Sequence, residues 1–447
     1  MNEKLKDITV LESERVKDVL NKINKNGFNG VFVINKKKKL VGVITDSDVR
    51  KNLLKNNLDI NNNAISITQK KFLKIPTSKV EKSNAILLKS NKMLLPIVEK
   101  GKLIDFVHTR DLFHERKRAP KILVIGGLGY IGSVLVRDLL KLNYQVNILD
   151  INYYGKHLDK KTTSNPKLKI YIGDCDDKRI LDKAIKNCTD VIHLGEIVGD
   201  PAVNINQNFS IKNNYENTIF VMSECIKRRI NKFIFASSCS VYGNVKHECH
   251  EKSKLNPVSL YAKCKRECEK SILAFKSKKF CPVILRLSTV YGDSPRKRFD
   301  LVVNRFVVMA IKKIKINLFG ANSWRPFISV NDVSRVLINV LKAENNLVRN
   351  QIFNVGGNKE NYRIIDIIKI IKKKIPIKFE FSNKNEDKRN YKVSFNKIKK
   401  ILKFIPKDNL KSTISLLIKK YQKIYINEKN MNYYNDKKII KILGKNN

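Results

Sequence analysis

The amino-acid sequence predicts an α/β protein: a doubly wound parallel sheet with a smaller C-terminal substrate-binding region, preceded by a separate α+β domain. Residues 121–150 read as strand, glycine turn, helix and strand, and both strands are continuous apolar runs, typical of a parallel sheet covered on both faces. Residues 1 to about 115 contain an internal repeat. At 447 residues, the chain is long enough for two or three folding units.

The repeat at the amino end has two matching copies. The first runs from an amphipathic segment, SERVKDVLNKINKNG, through the strand VFVI to LVGVITDSDV, and the second contains LLPIV and LIDFVHTRDLF. Thr45 and His108 occupy equivalent places, as do Asp48 and Asp111. This arrangement resembles a tandem pair of CBS domains. The resemblance implies that Thr45 and Asp48 bind AMP or ATP, and a purely structural or dimerising module is an equal alternative.

In the second copy, Asp105 and His108 replace the glycine and threonine of the CBS pattern, so we expect one nucleotide site and not two. A basic, proline-terminated stretch, HERKRAP at 114–120, then marks the domain boundary. The predicted division is 1–115 for the repeat, 119–290 for the main sheet, 291–425 for the substrate region and 426–447 for a basic tail without a predicted function.

Three glycines follow the first strand of the main domain. Gly126, Gly129 and Gly132 stand three residues apart, which is the GxxGxxG form of the dinucleotide fingerprint. They permit a tight turn, a close approach of backbone N–H groups to a pyrophosphate, and close packing of helix on strand. Asp150 ends the next strand, where its carboxylate can accept hydrogen bonds from ribose hydroxyls and would repel a 2′-phosphate. The sequence therefore predicts a Rossmann-type fold that binds NAD.

A candidate catalytic group follows further along the chain. The strand KFIFASSCSVYG at 232–243 ends in small hydroxylated residues, and YAKCK at 261–265 begins a helix. Tyr261 and Lys265 are four residues apart and therefore project from one helical face. We expect the ammonium and a nicotinamide cation to lower the pKa of Tyr261 and to make the phenolate accessible.

Together these motifs resemble the extended short-chain dehydrogenase/reductase family, which contains the NAD-dependent sugar-nucleotide epimerases and dehydratases. The resemblance covers about two thirds of the chain and includes Asn214, Arg286, the segment VYG at 290–292, RPFISVNDV and DKRNYKVS at 387–394. One departure is Gly195-Glu196 where the family usually has two alanines, which brings a carboxylate near the nicotinamide side.

The resemblance implies roles for individual residues. Ser238 would bond the reacting sugar hydroxyl, Tyr261 would take its proton, and Lys265 would hold the nicotinamide ribose. Arg325 would meet the substrate diphosphate. Arg298, in the cationic segment SPRKRFDLVVNRF, is a second candidate for the substrate pocket. The predicted cofactor-binding residues are Gly126, Gly129, Tyr130, Ile131, Gly132, Asp150, Asp174 and Lys265.

Several reactions fit this site. Cys239 and Ser240 stand where family 4,6-dehydratases have a carboxylate pair, so elimination lacks its acid and base. Epimerisation at carbon 4 of a nucleotide-sugar needs only reversible oxidation and rotation of the ketone. A nucleotide-sugar dehydrogenase or 4-ketoreductase is the runner-up. A hypothesis from another class is a sensor of NAD and adenine nucleotides, or an RNA-binding protein, on the same fold.

Composition narrows the choice of partners. The formal net charge of +49 comes from lysines spread over every segment, which favours a solvated basic surface over a specific nucleic-acid site. HECH at 247–250 with Cys264 and Cys268 matches no standard zinc spacing, so we expect no metal. The eight cysteines form no regular framework, and no signal peptide or membrane span is evident. We expect a cytoplasmic homodimer.

Overall fold

The structure is a computed structural model that describes residues 3–55, 58–90, 92–109, 120–275, 280–382, 389–427 and 430–444. The chain divides into two compact units, Met1–Arg118 and Ala119–Asn447. Of the predicted boundary stretch 114–120, only Pro120 belongs to the described residues, and Asp111 lies outside them.

The first unit repeats one arrangement of three strands. In each copy the first two strands pair in parallel and the last two pair antiparallel. Phe32 and Phe106, one from each copy, pack together in an apolar cluster. The strands are β1 (Thr9–Leu11), β2 (Gly30–Ile34), β3 (Leu40–Thr45), β4 (Ile75–Pro76), β5 (Leu94–Glu99) and β6 (Lys102–His108). Among the described residues, the helices are α1 (Glu3–Lys6), α2 (Val16–Asn26), α3 (Asp46–Leu54) and α4 (Ser83–Ser90).

The two equivalent positions in these copies differ in structure. Thr45 caps the start of α3: its hydroxyl accepts from the Asp48 N–H, while the Asp48 carboxylate accepts from the Thr45 N–H and hydroxyl. His108 is buried, with its ring edge-on to Phe28 at 5.5 Å. Gly42 has a packing role, because a Cβ there would overlap the side chain of Thr68.

The second unit is built on a parallel sheet whose described strands lie in the order β9-β8-β7-β10-β11-β13-β17. The predicted doubly wound Rossmann-type fold is confirmed. The order reverses between β7 and β10, and ligands of such sheets bind in the crevice outside the carboxyl ends at that point. The strands are β7 (Lys121–Ile125), β8 (Gln145–Asp150), β9 (Leu168–Ile172), β10 (Asp190–His193), β11 (Lys232–Ser238), β13 (Cys281–Leu287) and β17 (Gln351–Val355).

Helices cover both faces of this sheet, because alternate strand residues are apolar on each side. Ile122 and Val124 of β7 face one layer of helices, and Leu123 and Ile125 face the other. The described helices of this part are α5 (Tyr130–Lys141), α6 (Lys160–Thr163), α7 (Lys178–Ile185), α8 (Asp200–Ile205), α9 (Gln207–Ile211), α10 (Asn217–Lys227) and α11 (Leu260–Ala274). A π-helical turn, Lys212–Glu216, joins α9 to α10.

The C-terminal region has a second apolar core, in which Phe299, Phe327 and Tyr421 are buried. Beside the main sheet, the described residues form small sheets, with strands β12 (Asn244–Cys249), β14 (Thr289–Tyr291), β15 (Ile316–Leu318), β16 (Trp324–Ser329), β18 (Asn361–Arg363), β19 (Phe379–Phe381) and β20 (Asn390–Val393). The described helices are α12 (Val302–Ile311), α13 (Val330–Lys342), α14 (Asn345–Val348), α15 (Ile364–Lys372), α16 (Asn396–Leu402), α17 (Leu410–Tyr421) and α18 (Asn435–Leu443).

Helix α18 lies in the segment predicted as a basic tail. It packs on α8 because Asn435 and Ile439, one helical turn apart, are buried, and Ile439 joins the cluster of Ile197 and Val203. Its lysines, such as Lys441, lie on the outer side. The apolar stripe was missed in the sequence because lysine surrounds it.

Within the described residues, no helix combines the length and apolarity needed to cross a bilayer. The same residues contain no cluster of three or more histidine, cysteine or carboxylate side chains that could hold a metal ion. All eight cysteines are free thiols.

Candidate active site

The glycine turn after β7 is built around close backbone contacts. Gly126 has a φ of +78°, and a Cβ there would lie 2.6 Å from the nitrogen of Gly195. A Cβ on Gly132 would overlap the carbonyl oxygen of Gly126. Helix α5 begins directly after Gly129, so its free N–H groups face the cavity beyond the sheet. This cradle fits the pyrophosphate of a dinucleotide.

Two carboxylates lie at the same edge of the sheet. Asp150 ends β8 and accepts hydrogen bonds from the backbone nitrogens of Leu128 and Asn152, at 2.9 and 2.7 Å. Burial raises its pKa, and these hydrogen bonds and Arg296 oppose that rise. Asp174 follows β9 and accepts from the Asn217 amide at 3.1 Å. Both residues line the cavity, as the sequence predicts for the adenosine end of NAD.

The candidate catalytic residues line the same cavity, which has a volume of about 320 Å³. Ser238 ends β11, and its oxygen accepts from the Ser240 N–H at 3.1 Å. Tyr261 lies in the first turn of α11, whose N-terminus is capped by Ser259. Lys265 lies one turn further, with its ammonium 5.6 Å from the Tyr261 ring centre. The remaining predicted cofactor residues, Tyr130 and Ile131, also line the cavity.

The electrostatics of Tyr261 differ from the expectation. Its pKa is raised and not lowered, because burial disfavours the phenolate more than Lys265 and Arg298 favour it. The carboxylates of Glu196 and Asp200 add to the rise. The sequence argument counted the ammonium and a cofactor cation but omitted the neighbouring carboxylates.

Glu196 is the carboxylate that departs from the family pattern. Its side chain is 2% exposed and forms an ion pair with the Lys265 ammonium. Lys265 also donates to the carbonyl of Ala236. Burial lowers the pKa of Lys265, but Glu196 and Tyr261 together with Cys268 more than offset this, and the net shift is upward. Burial raises the pKa of Glu196 against the opposing effect of Lys265.

A buried polar network lies beneath these residues. Arg286 on β13 forms a two-pronged ion pair with Glu269 on α11, with an Nη2–Oε2 distance of 2.6 Å. Glu269 also accepts from the hydroxyl of Ser237, the neighbour of Ser238. Arg286 donates to the Tyr242 hydroxyl, which in turn donates to Asn354. Arg286, which is part of the family resemblance, therefore stabilises the helix and strand that carry the candidate catalytic residues.

The two predicted substrate arginines are placed differently. Arg298 lines the cavity and donates to both oxygens of Asp300, at 3.0 and 2.6 Å. Arg325 is absent from the cavity lining. Its guanidinium lies 5.3 Å from the ring centre of Tyr391, and Tyr391 itself lines the cavity.

Sequence reasoning missed several lining residues. Arg296 is almost fully buried, lies 3.8 Å from the ring centre of Tyr154 and donates to the Asn435 side chain at 2.7 Å. Burial lowers the pKa of Arg296 to about 10. Arg389 also lines the cavity and pairs with Asp200 at 3.3 Å. Among the missed residues, only Arg296 and Arg389 could have been found in the sequence, because they are cations within the segments SPRKRFDLVVNRF and DKRNYKVS.

Residues 122–356 match the NAD dependent epimerase/dehydratase family. The chain belongs to this family. It is therefore an NAD-dependent enzyme of the epimerase/dehydratase class, and its cofactor is NAD. Residues 1–55 match the CBS domain.

Similar proteins include a putative UDP-glucose 4-epimerase of Methanocaldococcus jannaschii, 33% identical over 262 residues that cover 56% of this chain and 81% of that protein. The UDP-glucose 4-epimerase of Haemophilus influenzae is 28% identical and covers 56% of this chain and 82% of its own length. Among solved structures, UDP-glucuronic acid 4-epimerase from Bacillus cereus, in complex with UDP-glucuronic acid and NAD, has a TM-score of 0.61 and 26% identity. The match covers 68% of this chain and 100% of the B. cereus enzyme.

Replacing Glu269 with alanine would leave Arg286 buried without its carboxylate. We expect the free energy of unfolding of the second unit to fall by about 3–5 kcal/mol. Urea unfolding followed by the fluorescence of Trp324, the single tryptophan of the chain, measures it. Glu267→Ala on the same helix is the control, since its ion pairs are exposed and contribute about 0–1 kcal/mol. Equal losses in the two variants would contradict the buried-pair argument.

Replacing Asn435 with alanine would release two parts of the cavity wall, because this side chain accepts from Arg296 and donates to the Val198 carbonyl at 2.8 Å. We expect the dissociation constant of NAD, measured by calorimetry on the full chain, to rise about tenfold. Lys441→Ala, on the outer side of α18, should leave it unchanged. NAD binding that is insensitive to Asn435→Ala would show that α18 takes no part in the site.

Proposed function

We propose that this protein is an NAD-dependent nucleotide-sugar 4-epimerase with Ser238, Tyr261 and Lys265 as its catalytic residues. The observation that carries the proposal is that these three side chains line one cavity with the glycine turn after β7. The names of the M. jannaschii, H. influenzae and B. cereus relatives, all 4-epimerases of UDP-sugars, support this choice of reaction.

Each side chain has a role that its surroundings support. The Ser238 oxygen accepts from the Ser240 N–H, so its own hydrogen is available to donate to the oxygen at the reacting sugar carbon. As the phenolate, which the nicotinamide cation of bound NAD would favour against burial, Tyr261 accepts the proton of that hydroxyl and returns it when the opposite epimer forms. The ammonium of Lys265 provides a positive charge next to the phenol of Tyr261. NAD, when bound, supplies reversible hydride transfer at the same carbon.

Elimination of water fits the site poorly. Cys239 is buried and donates to the carbonyl of Arg286, and burial raises the pKa of its thiol. Ser240 is buried beside it. Neither residue is an acid or base near neutral pH, so the position used by 4,6-dehydratases for proton transfer is inert here.

The cations of the cavity suit an acidic substrate. Arg298 and Arg389 are each offset by a carboxylate, whereas none of the ion pairs within the described residues involves Arg296. We assign the diphosphate of the nucleotide-sugar to the wall containing Arg298, where planar guanidinium groups match phosphate oxygens. Arg325 contacts Tyr391, which also lines the cavity, and its direct contact with substrate stays a prediction.

For the first unit we propose an adenine-nucleotide site at Thr45 and Asp48. Both side chains are partly exposed at the start of α3, where a helix N-terminus favours anions. The buried His108 removes the equivalent group from the second copy. AMP or ATP bound there would act as a regulator of the enzyme.

Tyr261→Phe removes the proton acceptor and keeps the ring. We expect kcat to fall about 10²- to 10⁴-fold with UDP-hexoses or UDP-hexuronic acids as substrates. The measurement is interconversion of two sugar nucleotides by chromatography. The matched control is Tyr215→Phe, which removes a hydroxyl bonded to Ser271 on the same helix, outside the cavity. Net accumulation of NADH or a keto-sugar would instead identify a dehydrogenase, and RNA binding that resists physiological salt without turnover would reject the enzyme proposal.

Asp48→Ala removes one of the two predicted nucleotide contacts. We expect the affinity of the full chain for AMP or ATP, measured by calorimetry, to fall at least about tenfold. Asp46→Ala is the control, because that carboxylate is half exposed in an ion pair with Arg50 at the same helix end. If the unsubstituted protein releases no heat with either nucleotide, the site proposal fails and the repeat is structural.

A further inference from the structure

Glu196 is a buried carboxylate that the proposed mechanism does not use. It follows β10 at the carboxyl edge of the sheet and lines the cavity. Its ion pair with Lys265 engages Oε2. Both carboxylate oxygens are buried without a hydrogen-bond partner within the described residues, and Oε1 also lacks the contact with Lys265. A buried carboxylate oxygen without a donor is unfavourable, so the site as folded lacks one donor at this point.

The loop that carries Glu196 is held firmly. The side-chain amide of Asn214 both donates to the carbonyl of Ile197 and accepts from its N–H, each at 2.8 Å. Ile197 is buried against Val203 and Ile439. On the other side of Glu196, Gly195 lies against the backbone of Gly126. With both neighbours fixed, the carboxylate is held at the cavity and away from bulk water.

Lys265 retains unused donor capacity that faces the same space. Its ammonium has three hydrogens, and within the described residues its two oxygen partners are Ala236 and Glu196, beside the rings of Phe235 and Tyr261. The carboxylate Oε1 and the third ammonium hydrogen together form an acceptor beside a donor. A vicinal diol, which donates through one hydroxyl and accepts through the other, matches that pair.

We propose that Glu196 is a cofactor contact and a positioning residue: Oε1 accepts from a ribose hydroxyl of the nicotinamide half of NAD, while Oε2 holds Lys265 in place. This rests on the proposed placement of NAD in the cavity. The same ion pair balances the ammonium, which would otherwise favour the phenolate of Tyr261 more strongly. The other groups that act on Tyr261 and Lys265 are Asp200, Arg298, Cys268 and the buried His193, which burial keeps neutral.

Glu196→Ala tests both parts, since the small residue restores the usual family pattern. We expect the dissociation constant of NAD to rise about tenfold or more, because a charge-assisted hydrogen bond is lost. We also expect the phenolate of Tyr261 to form at lower pH by about one unit or more, since the ammonium is no longer balanced. Calorimetry gives the first value. The second value is the titration of Tyr261 alone. It is obtained by subtracting the ultraviolet titration of the same protein carrying Tyr261→Phe from that of the full chain.

Neither measurement needs a sugar substrate, so this proposal can fail while the proposed epimerase activity stands. The matched control is Glu267→Gln, an exposed carboxylate on α11 whose loss should change neither value. An unchanged NAD affinity, or an unchanged titration of Tyr261, overturns the proposal. Glu196→Gln keeps the shape of the side chain, so if the alanine variant fails to fold, the titration of the glutamine variant decides.

Discussion

Arg286 and Glu269 form an ion pair that water does not reach, and its geometry determines how α11 lies on the sheet. One partner belongs to β13 and the other to the middle of α11, and the Ser237 hydroxyl ties β11 to the same carboxylate. A helix that slid or rotated would separate two buried charges, which is strongly unfavourable. Tyr261 and Lys265 lie on this helix and Ser238 on this strand, so their relative positions follow from a contact that no substrate touches.

The fold was predictable because it rests on local patterns. Apolar strands at 121–125 and 145–150, the glycine turn between them and the repeat at the amino end are all legible within short windows of sequence. The grouping of Asp150, Asp174 and Ser238 at one cavity followed from topology, since parallel strands end at a common edge. Asn435 was not predictable in this way, because it lies far along the chain in a lysine-rich helix, α18, in which only Asn435 and Ile439 are buried.

The electrostatics of the cavity depend on balance between neighbouring charges. Glu196 offsets Lys265, Asp300 offsets Arg298, and Asp200 offsets Arg389. The formal charge of +49 therefore says little about the potential at the candidate site. A single motif such as YxxxK cannot show this balance, because the compensating carboxylates come from other loops that folding brings beside it. At Tyr261, burial raises the pKa and carboxylates from other loops add to the rise, which reasoning from its own helix could not show. The lowering expected from a nicotinamide cation stays a prediction.

The π-helical turn at Lys212–Glu216 makes the candidate site sensitive to the number of residues in that turn. Asn214 lies inside this turn, and from there its amide reaches both backbone groups of Ile197. Removing one residue would restore ordinary α-helical winding and swing the amide by about 100° around the axis. A one-residue deletion here would therefore destabilise the loop that carries Ile197 more than most single substitutions. Apart from Asn214, side chains of the turn can be replaced without changing this geometry, whereas its five-residue span is a fixed dimension.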